Sequence, residues 1–157
     1  MIEDVSSVDW SDVIDVNVAG YALVIEQIVP IFKKKNQGCI INLASAAGLI
    51  AIPSFLPYAV SKSAIIYLSR SLAFDLSSYN IRVNSISPAA IDSPTLFRTA
   101  SESGLTKDEF DREHAGKCLR RLGHPQEIAN MVVFLASDLC CLMAGENIVV
   151  DGGFTIV

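Results

Sequence analysis

Two short strand-like segments joined by one long helix-periodic segment constrain the fold more than any other feature of this sequence. Residues 39–43 follow Gly38 and are typical of a strand buried on both faces. Residues 81–87 predict a second strand, and residues 58–78 between them carry apolar side chains at helical spacing. Strand, long helix and strand without a hairpin signal form a βαβ unit, whose strands run parallel and whose crossover is right-handed. The sequence therefore predicts an α/β fold.

The remaining segments extend this unit without completing a sheet. Apolar periodicity predicts a long, mostly buried helix over residues 9–34, a short helix over 107–114 and a third helix over 126–137, followed by a third strand over 147–150. A parallel sheet needs protection at both edges, yet no segment is available to pair with the outer side of strand 39–43. We expect residues 1–157 to be a single, partial domain with about three strands of a larger sheet.

The net charge and the residue pattern argue against binding to nucleic acid or to a membrane. The net charge is −5, with 12 Lys and Arg against 17 Asp and Glu, which argues against a nucleic-acid groove or an anionic membrane surface. Residues 36–61 carry no charge, and their length would permit a membrane span. Asn42, Pro53 and Pro57 interrupt this stretch, so we expect no transmembrane helix there.

Cysteine and histidine usage predicts neither disulfides nor a metal site. The four cysteines have no Cys-x-x-Cys spacing, and the two histidines lie far from any cysteine pair. The sequence begins Met-Ile-Glu-Asp, without the basic and apolar regions of a signal peptide. We therefore expect reduced thiols, no bound metal and a cytoplasmic protein.

The most specific candidate for a catalytic motif is Tyr58-Ala-Val-Ser-Lys62, at the start of the helix predicted over residues 58–78. Side chains four residues apart lie on one helix face, so the phenol and the ammonium can share one site. Tyr58 follows Pro57 at the helix entrance, where the positive end of the helix dipole and a neighbouring cation both favour a phenolate. Ser45 lies just past the carboxyl end of the first strand, where ligands gather in parallel sheets.

Together with their flanking motifs, these residues resemble the short-chain dehydrogenase/reductase family over essentially the whole chain. The resemblance is carried by an ordered set of segments: Asp-Val-Asn17-Val-Ala-Gly, Ile41-Asn42-Leu43-Ala44-Ser45, Tyr58-x-x-x-Lys62, Ile81-Arg82-Val83-Asn84-Ser85-Ile86-Ser87-Pro88, Leu135-Ala136-Ser137-Asp138 and Val150-Asp151-Gly152-Gly153. It implies a Rossmann-like parallel sheet with flanking helices, present here in part.

The resemblance also implies an NAD(P)-dependent oxidoreductase that moves a hydride between a nicotinamide and a small-molecule carbonyl or alcohol. Tyr58 resembles the general acid/base of such a reaction, and Ser45 the group that hydrogen-bonds the substrate oxygen. Lys62 would favour the phenolate and hold the nicotinamide ribose. Asn17 resembles the residue that anchors a water in the proton relay.

Further residues follow from the same resemblance. Pro88, Ile91 and Ser93 match the segment that meets the nicotinamide carboxamide, and residues 94–118 match the substrate lid. Pro88 is followed by Ala89 where family members usually have glycine, which adds a methyl group near the cofactor. Asn84 has a structural interpretation, as a brace between strands.

The Gly-rich turn that cradles pyrophosphate and the residue that selects NAD or NADP are absent from residues 1–157. The resemblance therefore implies roughly three further βα repeats, about 90 residues, ahead of Met1. The cofactor stays open between NAD and NADP.

Two functions compete at this point. The chain is either an oxidoreductase or a truncated, inactive remnant that acts only as an oligomerisation module. In the family the two long helices form a four-helix seam, so the resemblance implies a homo-oligomer, dimer or tetramer, in both cases. A serine hydrolase is excluded, because the sequence has no Gly-x-Ser-x-Gly elbow and neither histidine lies near a candidate nucleophile.

Overall fold

The computed structural model describes residues 2–156 and, apart from positions 99, 102 and 103, their side chains. The strands are β1 (Gly38–Leu43), β2 (Ile81–Pro88) and β3 (Asn147–Val150). The α-helices are α1 (Ser7–Ile14), α2 (Gly20–Lys35), α3 (Leu56–Asp75), α4 (Pro94–Ser103), α5 (Lys107–His114) and α6 (Pro125–Ala136).

The three strands form one parallel sheet in the order β1-β2-β3. Leu43 of β1 pairs with Ile86 of β2, and Ile86 pairs with Ile148 of β3, so the carboxyl ends of all three strands lie at one edge. α3 connects β1 to β2, and α4, α5 and α6 lie between β2 and β3. This confirms the predicted βαβ unit and the α/β class.

Apolar side chains pack on both faces of the sheet, as the apolar segment 39–43 predicted for its own strand. On one face Val83 and Ile81 pack with side chains of α2 and α3. On the other face Ile86 packs with Leu135 of α6 and with Cys140. Ile40 joins the first cluster. Its neighbour in β1, Ile41, joins the second, because successive strand residues point to opposite faces.

The predicted brace is present at Asn84. Its amide nitrogen donates to the Met143 carbonyl over 2.9 Å, and its amide oxygen accepts from the Glu146 backbone N–H over 3.0 Å. Asn84 is fully buried and fixes the segment that leads into β3.

The first long helix is where the sequence-based prediction needs correction. The helix exists and is continuous over Ser7–Lys35, with a π-helical turn at Asp15–Ala19 that the periodicity did not reveal. It is not mostly buried: Ile25 is the one buried residue of α2, and α1 and the π turn bury no residue. The helix itself carries apolar side chains on more than one side, but only one side of it packs against β1 and α3 in the described structure.

By length and composition this helix could also cross a membrane. Its most apolar window has a mean hydropathy of 1.4 and is 6% buried. Such a property is weak evidence, because core helices and signal sequences share it. The helix also carries Asp9, Asp12 and Asp15 in its first half.

The other helices differ from prediction mainly at their ends. α3 begins two residues earlier than predicted, with Pro57 in its first turn, and ends at Asp75 rather than at residue 78. A short 3-10 turn, Ser77–Tyr79, then leads to Asn80, whose φ of 52° reverses the chain into β2. Helix α4 was not predicted; Ser93 caps its start. Helix α5 and strand β3 have the predicted bounds.

The outer edge of β1 exposes alternate backbone groups. The N–H groups of Gly38 and Ala44 donate to the carbonyls of Asn80 and Ile86. Because backbone direction alternates along a strand, the N–H groups of Ile40 and Asn42 also face β2, whereas those of Cys39, Ile41 and Leu43 face away.

Hydrogen exchange followed by NMR tests this arrangement. We expect the amides of Ile40 and Asn42 to be strongly protected and those of Cys39, Ile41 and Leu43 to exchange much faster, since they have no partner strand within residues 2–156. Equal protection of all five amides would contradict the open edge. Ile40 and Asn42 serve as internal controls for strand stability.

Candidate active site

The candidate site is built where the carboxyl end of β1 meets the first turns of α3. Lys62 reaches back from α3, and its ammonium donates a hydrogen bond to the Leu43 carbonyl over 3.0 Å. The same nitrogen lies 5.6 Å from the centroid of the Tyr58 ring. The predicted neighbourhood of phenol and ammonium is therefore present, one helical turn apart on one face.

The Lys62 side chain is buried, with 9% of the residue exposed. Burial lowers the pKa of its ammonium below the ordinary 10.5, because a charge is less stable away from water. Neither of the ion pairs found between described side chains includes Lys62. The groups around its ammonium include the Leu43 carbonyl and the Tyr58 ring.

Tyr58 is oriented by the helix entrance. Pro57 lies in the first turn of α3, and the Phe55 ring meets the Tyr58 ring edge-on at a centroid distance of 6.1 Å. The ring is half-buried. Among residues 2–156 no protein group hydrogen-bonds the Tyr58 hydroxyl, which leaves it open to a ligand.

Ser45 begins the short turn that joins β1 to this helix. Its hydroxyl oxygen accepts a hydrogen bond from the Ala47 N–H over 3.1 Å, which caps the 3-10 turn Ala46–Gly48. Gly48 then packs directly on α3, where a Cβ atom would lie 2.8 Å from the backbone carbon of Lys62. Ser45 is thus held in a turn that contacts Lys62. Its convergence with Tyr58 on one substrate oxygen stays a prediction.

Asn17 lies in the π turn and is connected to Tyr58 through a buried serine. Its side-chain nitrogen donates to the Ser61 hydroxyl over 3.1 Å, and Ser61 donates to the Tyr58 carbonyl over 2.7 Å. Ser61 is fully buried. π turns interrupt the regular helical hydrogen-bond pattern and are frequent at functional sites. The role of Asn17 in holding a relay water stays a prediction; one of its two side-chain N–H groups is bonded to Ser61.

The three predicted cofactor-side residues lie beyond the carboxyl end of β2. Pro88 ends the strand, and Ile91 forms a parallel bridge with Gly123. Ile91 also lines a cavity of about 70 Å³, together with Ala89, Ala90, Gly116 and Gly152.

Ser93 has a structural task that the sequence did not show. Its hydroxyl oxygen accepts from the Leu96 N–H over 3.3 Å and caps α4. Contact of Pro88, Ile91 and Ser93 with a nicotinamide stays a prediction.

The sequence did not point to two residues at this site. Tyr21 of α2 donates from its hydroxyl to the Leu43 carbonyl over 3.1 Å, and its ring centroid lies 5.7 Å from Lys62 Nζ. Ser61 connects Asn17 to Tyr58. Tyr21 belongs to an ordinary apolar helix pattern, and the π turn that directs it has no periodic signature. Ser61 was within the recognised motif, one residue before Lys62.

The described residues offer little for a metal ion. Within residues 2–156 no group of three or more His, Cys, Asp or Glu side chains could hold one, and the four cysteines are free thiols.

Comparison with protein families places this arrangement among oxidoreductases. A family model described as enoyl-(acyl carrier protein) reductase matches residues 1–155. An uncharacterised oxidoreductase of Thermotoga maritima is 38% identical over 156 residues, which cover 99% of this chain and 62% of that protein. The dehydrogenase/reductase SDR family member 4 of Oryctolagus cuniculus is 36% identical, over 96% of this chain and 56% of that protein.

Solved structures agree with the sequence matches. A 4-hydroxyisoleucine dehydrogenase mutant complexed with NADH and succinate superimposes with a TM-score of 0.88 at 31% identity, over 99% of this chain and 63% of the other. A 3-oxoacyl-[acyl-carrier protein] reductase with bound NAD from Brucella melitensis gives a TM-score of 0.86 at 29% identity, over 99% and 55% of the two chains. The present chain thus spans less than two thirds of these relatives, and its sheet is the corresponding part of a Rossmann fold.

The lowered pKa of Lys62 predicts how stability depends on pH. Between that pKa and 10.5 the folded chain has lost the Lys62 proton, whereas the unfolded chain retains it. Raising the pH through this window therefore favours the folded state. We expect the free energy of unfolding, measured by urea titration relative to Lys62→Met, to rise with pH in the window and to be flat below it.

Lys107→Met is the matched control. A hydrogen bond to Asp111 raises the pKa of Lys107, so its stabilising contribution is present below 10.5 and is lost only above that value. Relative to Lys107→Met, the stability of the native chain should be constant in the Lys62 window. A constant difference for Lys62→Met as well would contradict the lowered pKa.

Proposed function

Because the chain belongs to the short-chain dehydrogenase/reductase family, we propose that it transfers a hydride between a nicotinamide cofactor and a carbonyl or alcohol carbon. One observation carries this proposal: the buried Lys62 ammonium is fixed on the Leu43 carbonyl at 3.0 Å and lies 5.6 Å from the Tyr58 ring. It supports the proposal because a phenol beside a cation is suited to exchange a proton, and the carboxyl edge of a parallel sheet is where ligands commonly bind.

Each residue has a defined task in this proposal. Tyr58 exchanges the proton of the substrate oxygen through a hydroxyl that no described protein group occupies. Ser45 donates a hydrogen bond to the same oxygen. Lys62 stabilises the phenolate and directs its remaining N–H groups to the nicotinamide ribose and the relay. Asn17 holds a water of that relay.

The available donors suit a nicotinamide nucleoside. An ammonium has three N–H groups, and Lys62 uses one of them on Leu43, which leaves two for the ribose and the relay. When bound, NAD or NADP supplies or accepts the hydride. Pro88, Ile91 and Ser93 would border the nicotinamide, with the Ala89 methyl narrowing that side. Residues 1–157 contain no Gly-rich turn for the pyrophosphate, so we expect weak binding of the dinucleotide to this chain.

Turnover by the native chain and by Tyr58→Phe tests the proposal. The assay uses high concentrations of NADH, NADPH and reduced nicotinamide mononucleotide, with cyclopentanone and a 3-oxoacyl thioester as carbonyl substrates, since relatives carry those activities in their names. We expect Tyr58→Phe to lower kcat by about 10²- to 10⁴-fold, the usual contribution of a general acid/base.

Tyr79→Phe is the control, because it removes a phenol hydroxyl from another region of the same chain. The mononucleotide should support turnover nearly as well as NADH, since both present the same nicotinamide ribose. Equal rates for Tyr58→Phe and the native chain would overturn the role of Tyr58. Turnover comparable with that of a complete enzyme would contradict the expected weak binding.

A second candidate function, an inactive oligomerisation module, is favoured by exposed apolar stripes on the two long helices. Val60, Tyr67 and Phe74 recur every seven residues on α3 and are 42%, 69% and 83% exposed. Val16 and Leu23 form a similar pair along the first long helix. Heptad spacing is typical of helices that pack against other helices. We propose that these stripes bind a second copy of the chain in a dimer or tetramer.

Sedimentation velocity tests this association. We expect the native chain to sediment as a dimer or tetramer and Phe74→Lys to shift it to a lower mass, because a charge would be buried in the seam. Leu142→Lys is the control, since Leu142 is 95% exposed and lies outside both helices. A monomeric native chain would contradict the proposal. An oligomer without turnover in any assay would favour the module over the enzyme.

A further inference from the structure

The Leu43 carbonyl accepts two hydrogen bonds, and the second donor lies outside the Tyr58–Lys62 motif. Lys62 Nζ donates over 3.0 Å, and the Tyr21 hydroxyl donates over 3.1 Å. A carbonyl oxygen offers two lone pairs, so these two donors use its full capacity. Tyr21 is therefore bonded to the same atom that anchors Lys62.

The Tyr21 ring also faces the ammonium. Lys62 Nζ lies 5.7 Å from the Tyr21 centroid and 5.6 Å from the Tyr58 centroid, within the range of cation–π attraction to both rings. These two phenols, one from α2 and one from α3, are the titratable groups in contact with the ammonium. Burial is the cause of the lowered Lys62 pKa, with no contribution from a charged side chain. The two rings and one carbonyl thus take the place of a counter-ion.

Tyr21 lies just after the π turn that contains Asn17. Asn17 and Tyr21 are four residues apart, so they share one helix face. Asn17 bonds to Ser61, and Tyr21 contacts Lys62, the next residue of α3. One face of the first long helix therefore holds two consecutive residues of the candidate site.

We propose that Tyr21 is a positioning residue: its ring stabilises the Lys62 ammonium, and its hydroxyl fixes the Leu43 carbonyl to which that ammonium is bonded. The consequence rests on the proposed function, because the two other N–H groups of Lys62 are those assigned to the ribose and the relay. An ammonium restrained by one carbonyl and two rings presents those groups in a fixed direction. The competing explanation is that the Tyr21 ring only fills space and excludes water.

The sign of a pKa change separates these explanations. Lys62 is titrated by NMR of ¹³C-labelled lysine in the native chain and in Tyr21→Leu, without cofactor or substrate. Leucine keeps the surroundings apolar but removes the aromatic face and the hydroxyl. We expect the Lys62 pKa to fall further in Tyr21→Leu and to stay closer to the native value in Tyr21→Phe. An unchanged or higher pKa in Tyr21→Leu would overturn the proposal, because a smaller space-filling side chain admits water and favours the charge.

A second comparison keeps the shape of the side chain constant. A trifluorinated phenylalanine at position 21 has nearly the shape of phenylalanine but a much weaker negative ring face. We expect a lower Lys62 pKa with this residue than in Tyr21→Phe, and equal values would overturn the role of the ring. This test holds even if Tyr21→Leu does not fold.

The Lys33–Tyr79 pair is the matched control, because its ammonium lies 4.4 Å from the ring centroid in another part of the fold. Tyr79→Leu should leave the Lys62 pKa at its native value. An equal fall in Tyr79→Leu would show a general loss of packing and overturn the inference.

Failure of this inference and failure of the proposed function are distinguishable. The titrations contain no nicotinamide, so the expected shifts can be observed in a chain that shows no turnover, which would remove only the proposed function. Turnover that depends on Tyr58, with no effect of Tyr21 on the Lys62 pKa, would remove only the inference.

Discussion

A buried ammonium, for which the described side chains of residues 2–156 provide no counter-ion, is the constraint on which the rest of the candidate site depends. Burying an unpaired charge is costly, so each group around Lys62 has to compensate for lost water. The compensation comes from the last carbonyl of β1 and from two aromatic rings. This requires α3 to begin beside the end of β1, and Gly48 permits that, because a side chain there would collide with the backbone of Lys62.

The π turn of the first long helix provides the other half of this support. Asn17 lies in this turn and Tyr21 follows it, and the two side chains contact Ser61 and Lys62 of α3. The same helix contributes to the core beneath the sheet through Val29 and Phe32. The same helix therefore packs on the sheet and contacts the residues around the Lys62 ammonium.

Local patterns in the sequence were sufficient to predict the main strands and helices and the Tyr58–Lys62 pair. The strands, the parallel βαβ unit and the one-turn spacing of Tyr58 and Lys62 all follow from periodicity or fixed helical geometry. The burial of the first long helix was predicted wrongly, because periodicity shows that a side chain is apolar but not whether a neighbour covers it. The π turn and the role of Tyr21 depend on a tertiary contact between distant segments, which no local pattern records.

The groups that fix the ammonium also limit how the open edge of β1 can be covered. The Leu43 carbonyl faces away from β2, on the side where another strand would pair, yet Lys62 and Tyr21 already occupy it. A strand added at this edge can bond to the backbone of Cys39 and Ile41, but it finds no free acceptor at Leu43. Such a strand therefore loses one backbone hydrogen bond at the carboxyl end of β1. Lys62 and Tyr58 lie at this same end of β1, and the carboxyl ends of parallel strands are where such sheets bind their ligands.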